Sequence, residues 1–454
     1  MRRFASPDAV AFLLLESSRR PMHMAGLQFF TPPEGSGSDF GRATYEAMRA
    51  CMDVAPMFAG HPVTMRGRSV VLGWTYDNAV DLDYHLQYTS LPAPGGTREL
   101  LETISRLHSQ ILDRRRPLWE VHVIDGFDDG RFAIFTKAHH ALFDGVSFLQ
   151  LLRRSLSTDP ASLQIEVLWS QRPQVCPQSP GFEVQDKSAR DRIIGAVKSV
   201  AEVGRSVTLV RAAVRERALF PVFDAPRTVF NGTSDVPWVC AAQAWPIHRI
   251  NNVKDAAGAT VNDVALAMCA GALRALLFER DALPDRPLVA LVPVDLRTQN
   301  DPEGRNLMSS ALCNLATHLE DPAERLRAIQ ASMRFNKRLL RELPRQAAMY
   351  LAGIIGAPIA DSLRLTKFLP SQFNVGISHV ADARETLYHN ASRLDGTYGF
   401  PPTVPGHALN IGLASNAISL NVGIVGSARL GPNHDRLLDL LEVSLRDLER
   451  AVGP

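Results

Sequence analysis

A chain of 454 residues exceeds one ordinary hydrophobic core and has the length of roughly two or three compact units, read here as two large lobes. Its composition is that of a soluble globular protein, 46% hydrophobic and 21% charged. With 49 basic against 47 acidic residues and a net charge of +2, it lacks the basic excess that a phosphate-neutralising nucleic-acid binder carries.

The opening Met1-Arg2-Arg3-Phe4-Ala5-Ser6-Pro7-Asp8 is basic, but Asp8, Glu16, Arg19 and Arg20 interrupt the apolar core of a secretory leader. The cysteines, Cys51, Cys176, Cys240, Cys269 and Cys313, are scattered, with no Cys-x-x-Cys pair and no zinc-like histidine spacing. The expectation is a cytoplasmic protein with no metal.

In chain order, Phe132 to His140 reads as a buried strand and Val146 to Arg154 as a helix after a glycine turn. Residues 1–185 form the expected N-terminal lobe, closed by a Pro-, Gln- and Ser-rich crossover from Pro160 to Asp186. A helical linker is expected over 186–225. There Ile194, Val197, Val200, Val203, Val207 and Val210 make a stripe, with Arg192, Lys198, Arg205, Arg211, Arg215 and Arg217 among the polar positions. Such a helix packs on its own protein or lies on an anionic membrane surface, and both readings stand here. The C-terminal lobe is expected over 226–454. Ala347 to Ala360 reads as a buried helix. Ala408 to Ala428 is uncharged and near the ~20 residues of a membrane helix. Its apolar residues alternate around Ser415-Asn416, however, which predicts a hairpin. A closing helix runs from Asp435 to Ala451.

The chemistry points to His139-His140-Ala141-Leu142-Phe143-Asp144-Gly145. Alternation along the strand places His140 on the side of Ala138, Thr136 and Ile134, and His139 on that of Lys137 and Phe135, so only one of them faces a given cleft. A neutral imidazole at that end can take the proton of an attacking alcohol. Asp144 either orients the ring or, as favoured here, locks the turn by pairing with a distant arginine. Gly145 is expected to supply a backbone conformation closed to other residues. No G-x-S-x-G elbow, no P-loop and no G-x-G-x-x-G in strand-turn-helix context occurs, which favours a mechanism without a covalent acyl-enzyme.

The histidine run and its companions resemble the bacterial wax ester synthase/acyl-CoA:diacylglycerol acyltransferases. The companions are Asp8 to Leu13, Pro21-Met22-His23-Met24-Ala25-Gly26, Asp81 to Leu86 and Pro117-Leu118-Trp119-Glu120. Further on come Pro226-Arg227-Thr228, Asn231-Gly232, Asn262-Asp263-Val264, Val292 to Arg297 and Ala408-Leu409-Asn410-Ile411. The His-His-x-x-x-Asp-Gly element itself is shared with the wider chloramphenicol-acetyltransferase-like superfamily, peptide-synthetase condensation domains included.

The resemblance implies an α/β fold with mixed sheets and two chloramphenicol-acetyltransferase-like lobes, with a channel between them leading to His140. It implies acyl-CoA as co-substrate, no further cofactor, and diacylglycerol or a long-chain alcohol as acceptor. A peripheral position at the inner membrane or a lipid-inclusion surface fits such substrates. It also suggests Arg297 as the partner of Asp144. Asn262 and Asp263 match a family motif tied to activity, or cap the helix that Val264 begins. Trp119 reads as scaffold. Where the family has Asn-Val-Pro-Gly-Pro, this chain has Asn374-Val375-Gly376-Ile377-Ser378, so the turn those prolines stiffen is expected to differ. Two alternatives stay open: a carrier-protein-dependent condensation enzyme, and a catalytically silent lipid- or acyl-CoA-binding paralogue.

Overall fold

The computed structural model describes residues 7–64, 71–172, 225–232, 237–295, 308–342, 371–381, 385–402, 406–431 and 433–453. The stripe between Asp191 and Phe220, the 347–360 run and Arg297 lie outside them.

The elements in chain order are α1 (Pro7–Leu15), β1 (His23–Thr31), α2 (Phe40–Arg49), β2 (Gly60–Thr64), β3 (Val71–Tyr76), α3 (Leu82–His85), β4 (Leu86–Ser90) and α4 (Thr97–Ser109). There follow β5 (Trp119–Asp125), β6 (Phe132–His139), α5 (Gly145–Arg154), β7 (Trp238–Pro246), α6 (Ile247–Ala256), α7 (Val261–Phe278), β8 (Val289–Asp295), β9 (Met308–Asn314) and α8 (Pro322–Glu342). The chain closes with β10 (Val375–Ala381), β11 (Tyr388–His389), β12 (Ser392–Phe400), β13 (Leu409–Ser415), β14 (Ser419–Ser427) and α9 (Asn433–Val452).

Two compact units result, and they interleave along the sequence. The first comprises Met1–Gln174, Gly232–Asn251 and Ser378–Asp439; the second comprises Val175–Asn231, Asn252–Ile377 and Leu440–Pro454. Residues 232–251 and 378–439, expected in a C-terminal lobe, therefore group with the N-terminal strands. Strand pairing is the cause: β12 lies antiparallel to β1, with Leu27 opposite Tyr398.

The first unit is built on a mixed sheet in the order β11-β12-β1-β6-β5-β4. β4 and β5 run parallel, which requires a crossover, and α4 supplies it. All eight residues of β6 are buried, because both sheet faces are covered. Phe132, Ile134 and Ala138 pack with Trp119, Phe148, Leu152 and Trp169 on one face. Ala133 and Phe135 pack with Leu100, Ile104 and Leu107 of α4 on the other. Gly26 lets α5 approach β1: a Cβ there would stand 2.4 Å from Leu152 Cδ1. The expected hairpin is present as β13 and β14, with Ile411 opposite Ile424 and the Asn416 side chain accepting from Ile418 N and Ser419 N in the turn.

In the second unit β8 pairs antiparallel with β9, and Val375 and Gly376 of β10 run parallel to Ala290 and Leu291 of β8. Val375-Gly376-Ile377-Ser378 is thus strand, and Asn374 sits in the bend that leads into it. Among the described residues α7 is the one helix long and apolar enough to cross a membrane, yet it is a core helix, with Val264 through Leu273 buried.

Candidate active site

β6 ends at His139, and the turn that follows is fixed by backbone hydrogen bonds on both sides. His139 N donates to Leu118 O and His140 N to Met22 O, each at 2.9 Å, while Leu142 N closes the turn on His139 O at 2.9 Å. These bonds aim consecutive side chains in opposite directions, as the strand alternation requires.

His139 points into the protein and is fully buried. Its Nδ1 accepts from Ala141 N at 3.0 Å, so the ring proton belongs to Nε2. That nitrogen meets Glu16 Oε1 at 3.3 Å, an oblique contact between two nearly sealed side chains. Glu16 also accepts from Met22 N at 3.0 Å and from Arg114 Nε at 2.8 Å. Burial alone would raise the Glu16 carboxyl; His139, Met22 and Arg114 outweigh it and hold the group below its ordinary value. Beneath His139 on the same face, Lys137 is fully buried and donates to Leu107 O, Gln110 O and Glu120 Oε2 at 3.0, 2.9 and 3.0 Å. It thereby satisfies carbonyls at the end of α4.

His140 is half-buried. Its Nδ1 is shut from solvent, so Nε2 is the nitrogen that an incoming group would have to reach. Phe12 of α1 lies flat on the imidazole, ring centroids 4.2 Å apart and planes 21° from parallel. Burial pushes the imidazole down to about 4, against the opposing pull of its own carbonyl and of Asp144, so the ring is neutral at physiological pH.

Asp144 is the N-cap of α5 and accepts from Ser147 N at 2.7 Å. It makes a further interaction besides; its expected partner Arg297 lies outside the described residues. The expectation for Gly145 is corrected: it is the first residue of α5 with no positive φ, and a Cβ there would meet nothing within 4 Å. Neither backbone conformation nor crowding in the described residues demands glycine at this position. Asn262 and Asp263 belong to the second unit. Asp263 completes a capping box on α7: its Oδ2 accepts from Thr260 N at 3.0 Å, and its own N donates to Thr260 Oγ1 at 3.2 Å. The cap itself is Thr260. Trp119 is scaffold, with Nε1 donating to Phe58 O at 2.8 Å and its ring stacked on His85 and Trp169.

Sequence reasoning named Glu16 only as a charge and Phe12 and Met22 only within quoted segments, and it assigned none of them, nor Arg114, to the site. The signal was present for Phe12 and Glu16, which are spaced one helical turn apart at the end of α1.

Asn374 and the Pro226 segment, quoted separately above, form one network in the second unit. Asn374 is fully buried; its Oδ1 accepts from Val289 N at 2.8 Å, and its Nδ2 donates to Pro226 O at 2.6 Å and to Asn231 Oδ1 at 2.8 Å. Asn231 Nδ2 in turn donates to Ser371 Oγ and Phe373 O at 2.7 and 2.8 Å.

The fold is one shared with acyl-transferring and condensing proteins. The solved wax ester synthase/diacylglycerol acyltransferase from Marinobacter aquaeolei VT8 is 32% identical, covers 100% of both chains and superposes with a TM-score of 0.76. The starter condensation domain of rhizomide synthetase, at 12% identity and a TM-score of 0.62, shares the fold alone. Residues 5–265 match the wax ester synthase/diacylglycerol acyltransferase catalytic domain, and residues 305–449 match the C-terminal domain of the same family. A Mycobacterium tuberculosis (strain ATCC 25618 / H37Rv) protein provisionally named a diacylglycerol O-acyltransferase is 49% identical over 452 residues, 99% of this chain and 100% of that one. The chain belongs to the wax ester synthase/diacylglycerol acyltransferase family.

Proposed function

We propose that the protein is an acyl-CoA-dependent O-acyltransferase that esterifies diacylglycerol or a long-chain alcohol, with His140 as general base. The observation that carries this reading is the state of one ring at the end of β6: neutral, stacked under Phe12 on one face, with Nδ1 sealed. The acceptor hydroxyl donates its hydrogen bond to Nε2. As its oxygen attacks the thioester carbonyl, the proton passes to Nε2, and the tetrahedral oxyanion collapses by expelling CoA thiolate. The imidazolium returns its proton to that sulfur. An imidazole of low basicity is a weak acceptor at the outset, but the oxyanion forming beside it favours the protonated ring as the reaction proceeds. Asp144 acts on the turn through the start of α5.

The scheme needs no cofactor beyond acyl-CoA as co-substrate. The four described cysteines, Cys51, Cys240, Cys269 and Cys313, are free, which supports a reducing, cytoplasmic setting. Water-insoluble acceptors favour work at a membrane or lipid-inclusion surface. Purified protein with labelled palmitoyl-CoA and either diolein or hexadecanol, and no carrier protein, tests the reading. Ester from the native chain and none from His140→Ala supports it. Tight acyl-CoA binding with no ester from either would replace it with a silent binding protein.

A further inference from the structure

We infer that the last turn of α1, with the residue that follows it, is a positioning clamp on the histidine pair, in which Phe12 holds His140 and Glu16 holds His139. The inference rests on His140 being the base and adds to it the device that sets the ring's plane and environment.

The geometry is that of a single grip. Phe12 and Glu16 are one turn apart, joined by Glu16 N donating to Phe12 O at 3.2 Å. Phe12 covers one face of the His140 imidazole. Glu16 takes two roles through one oxygen: Oε1 meets His139 Nε2 at 3.3 Å and accepts from Met22 N at 3.0 Å. Met22 then relays the hold, because its carbonyl accepts from His140 N at 2.9 Å. Arg114 anchors the other carboxylate oxygen at 2.8 Å. Both histidines of the pair are therefore held from the same short segment, one by its ring and the other by its proton-bearing nitrogen. A nitrogen base misplaced by about 1 Å loses on the order of a hundredfold in rate, so a fixed ring plane matters to the chemistry. The ring cover also keeps the imidazole dry, with Asp144 and His139 as the charged or titratable groups that bear on it.

The test uses the full-length protein, labelled palmitoyl-CoA and diolein, with kcat and KM measured from about pH 3 to 8, a span that brackets the native His140 titration near 4. Nuclear magnetic resonance titration of the histidine ring protons runs alongside. Phe12→Ala hydrates the His140 face. The His140 titration is expected to move up from about 4 toward the ordinary value near ~6.5, and the acid limb of kcat/KM should move with it. kcat should fall roughly tenfold to a hundredfold with KM little changed. Phe12→Tyr, which keeps the stacked ring, should restore both the limb and the rate. Glu16→Leu, which removes the acceptor, should lower kcat more than Glu16→Gln, which keeps one. Superimposable titration and acid limb in Phe12→Ala and native protein overturn the clamp, as does a Phe12→Tyr variant no better than Phe12→Ala. A merely structural Phe12 would lower the yield of folded protein and leave the titration in place. If His140→Ala keeps full activity, it is the base assignment that has failed; the ring titration still reports on the clamp.

Discussion

Replacing Asn374 by Leu removes three hydrogen bonds from a fully buried position while nearly conserving volume, so the change isolates hydrogen bonding from cavity formation. Val289 N–H loses its acceptor between strands and becomes a stranded donor. Pro226 O loses its donor as well. Asn231 Oδ1 keeps Thr228 N at 3.1 Å and Thr228 Oγ1 at 3.3 Å, so its loss is minor. Two stranded groups at about 1–3 kcal/mol each give about 2–6 kcal/mol of destabilisation. For a unit of this size that corresponds to a fall in melting temperature on the order of 10 °C. Thermal melting of the purified chain measures it, and faster exchange of the Val289 amide proton locates it. Asn374→Asp should be worse at neutral pH, because a carboxylate would face the Pro226 and Asn231 oxygens. A melting temperature unchanged in both variants would refute the reasoning and detach this segment from the stability of the second unit.

If Asp263 serves α7 as a capping residue, Asp263→Ala and Thr260→Ala should each cost about 1 kcal/mol in denaturant melts and leave kcat/KM unaltered; lost turnover at full stability would reverse the assignment. His108 is fully buried, and neither ring nitrogen has a hydrogen-bond partner; burial, then the Lys137 charge, push it down to about 3. The unfolded chain titrates near ~6.5 and so takes up this proton first. Stability from this group is therefore complete above that pH and is lost as pH falls toward 3. Burial holds His23 well below its ordinary value too and acts in the same sense. Urea midpoints should decline steadily from pH 7 to 4, and His108→Leu should flatten the decline. An equal slope in the variant would exclude His108 as a source.

Period-2 alternation was enough to separate His139 from His140, since β6 keeps its register with Met24 opposite Ala138 and both faces covered. The hairpin at 409–427 and the helix after Asp144 were legible for the same reason, being local patterns with local turn chemistry. Gly145 was misjudged because sequence alone cannot tell a glycine that needs its backbone freedom from one in an ordinary helical conformation. Long-range pairing was invisible. β12 joins β1 across most of the chain, and Glu16 reaches a histidine more than a hundred residues away. Glu16 entered the sequence reading only as a charge breaking an apolar run. Its partners are fixed by the sheet, which brings Met22 beside His140.

The central claim is that a neutral His140 takes the acceptor proton. A rapid-quench single-turnover measurement with saturating palmitoyl-CoA and diolein, native against His140→Ala, addresses it most directly, because substrate binding and product release drop out. The rate of ester formation should fall by about 10²–10⁴-fold in the variant, with acyl-CoA affinity retained. Single-turnover rates within a few-fold of each other would contradict the account and require another group to accept the proton.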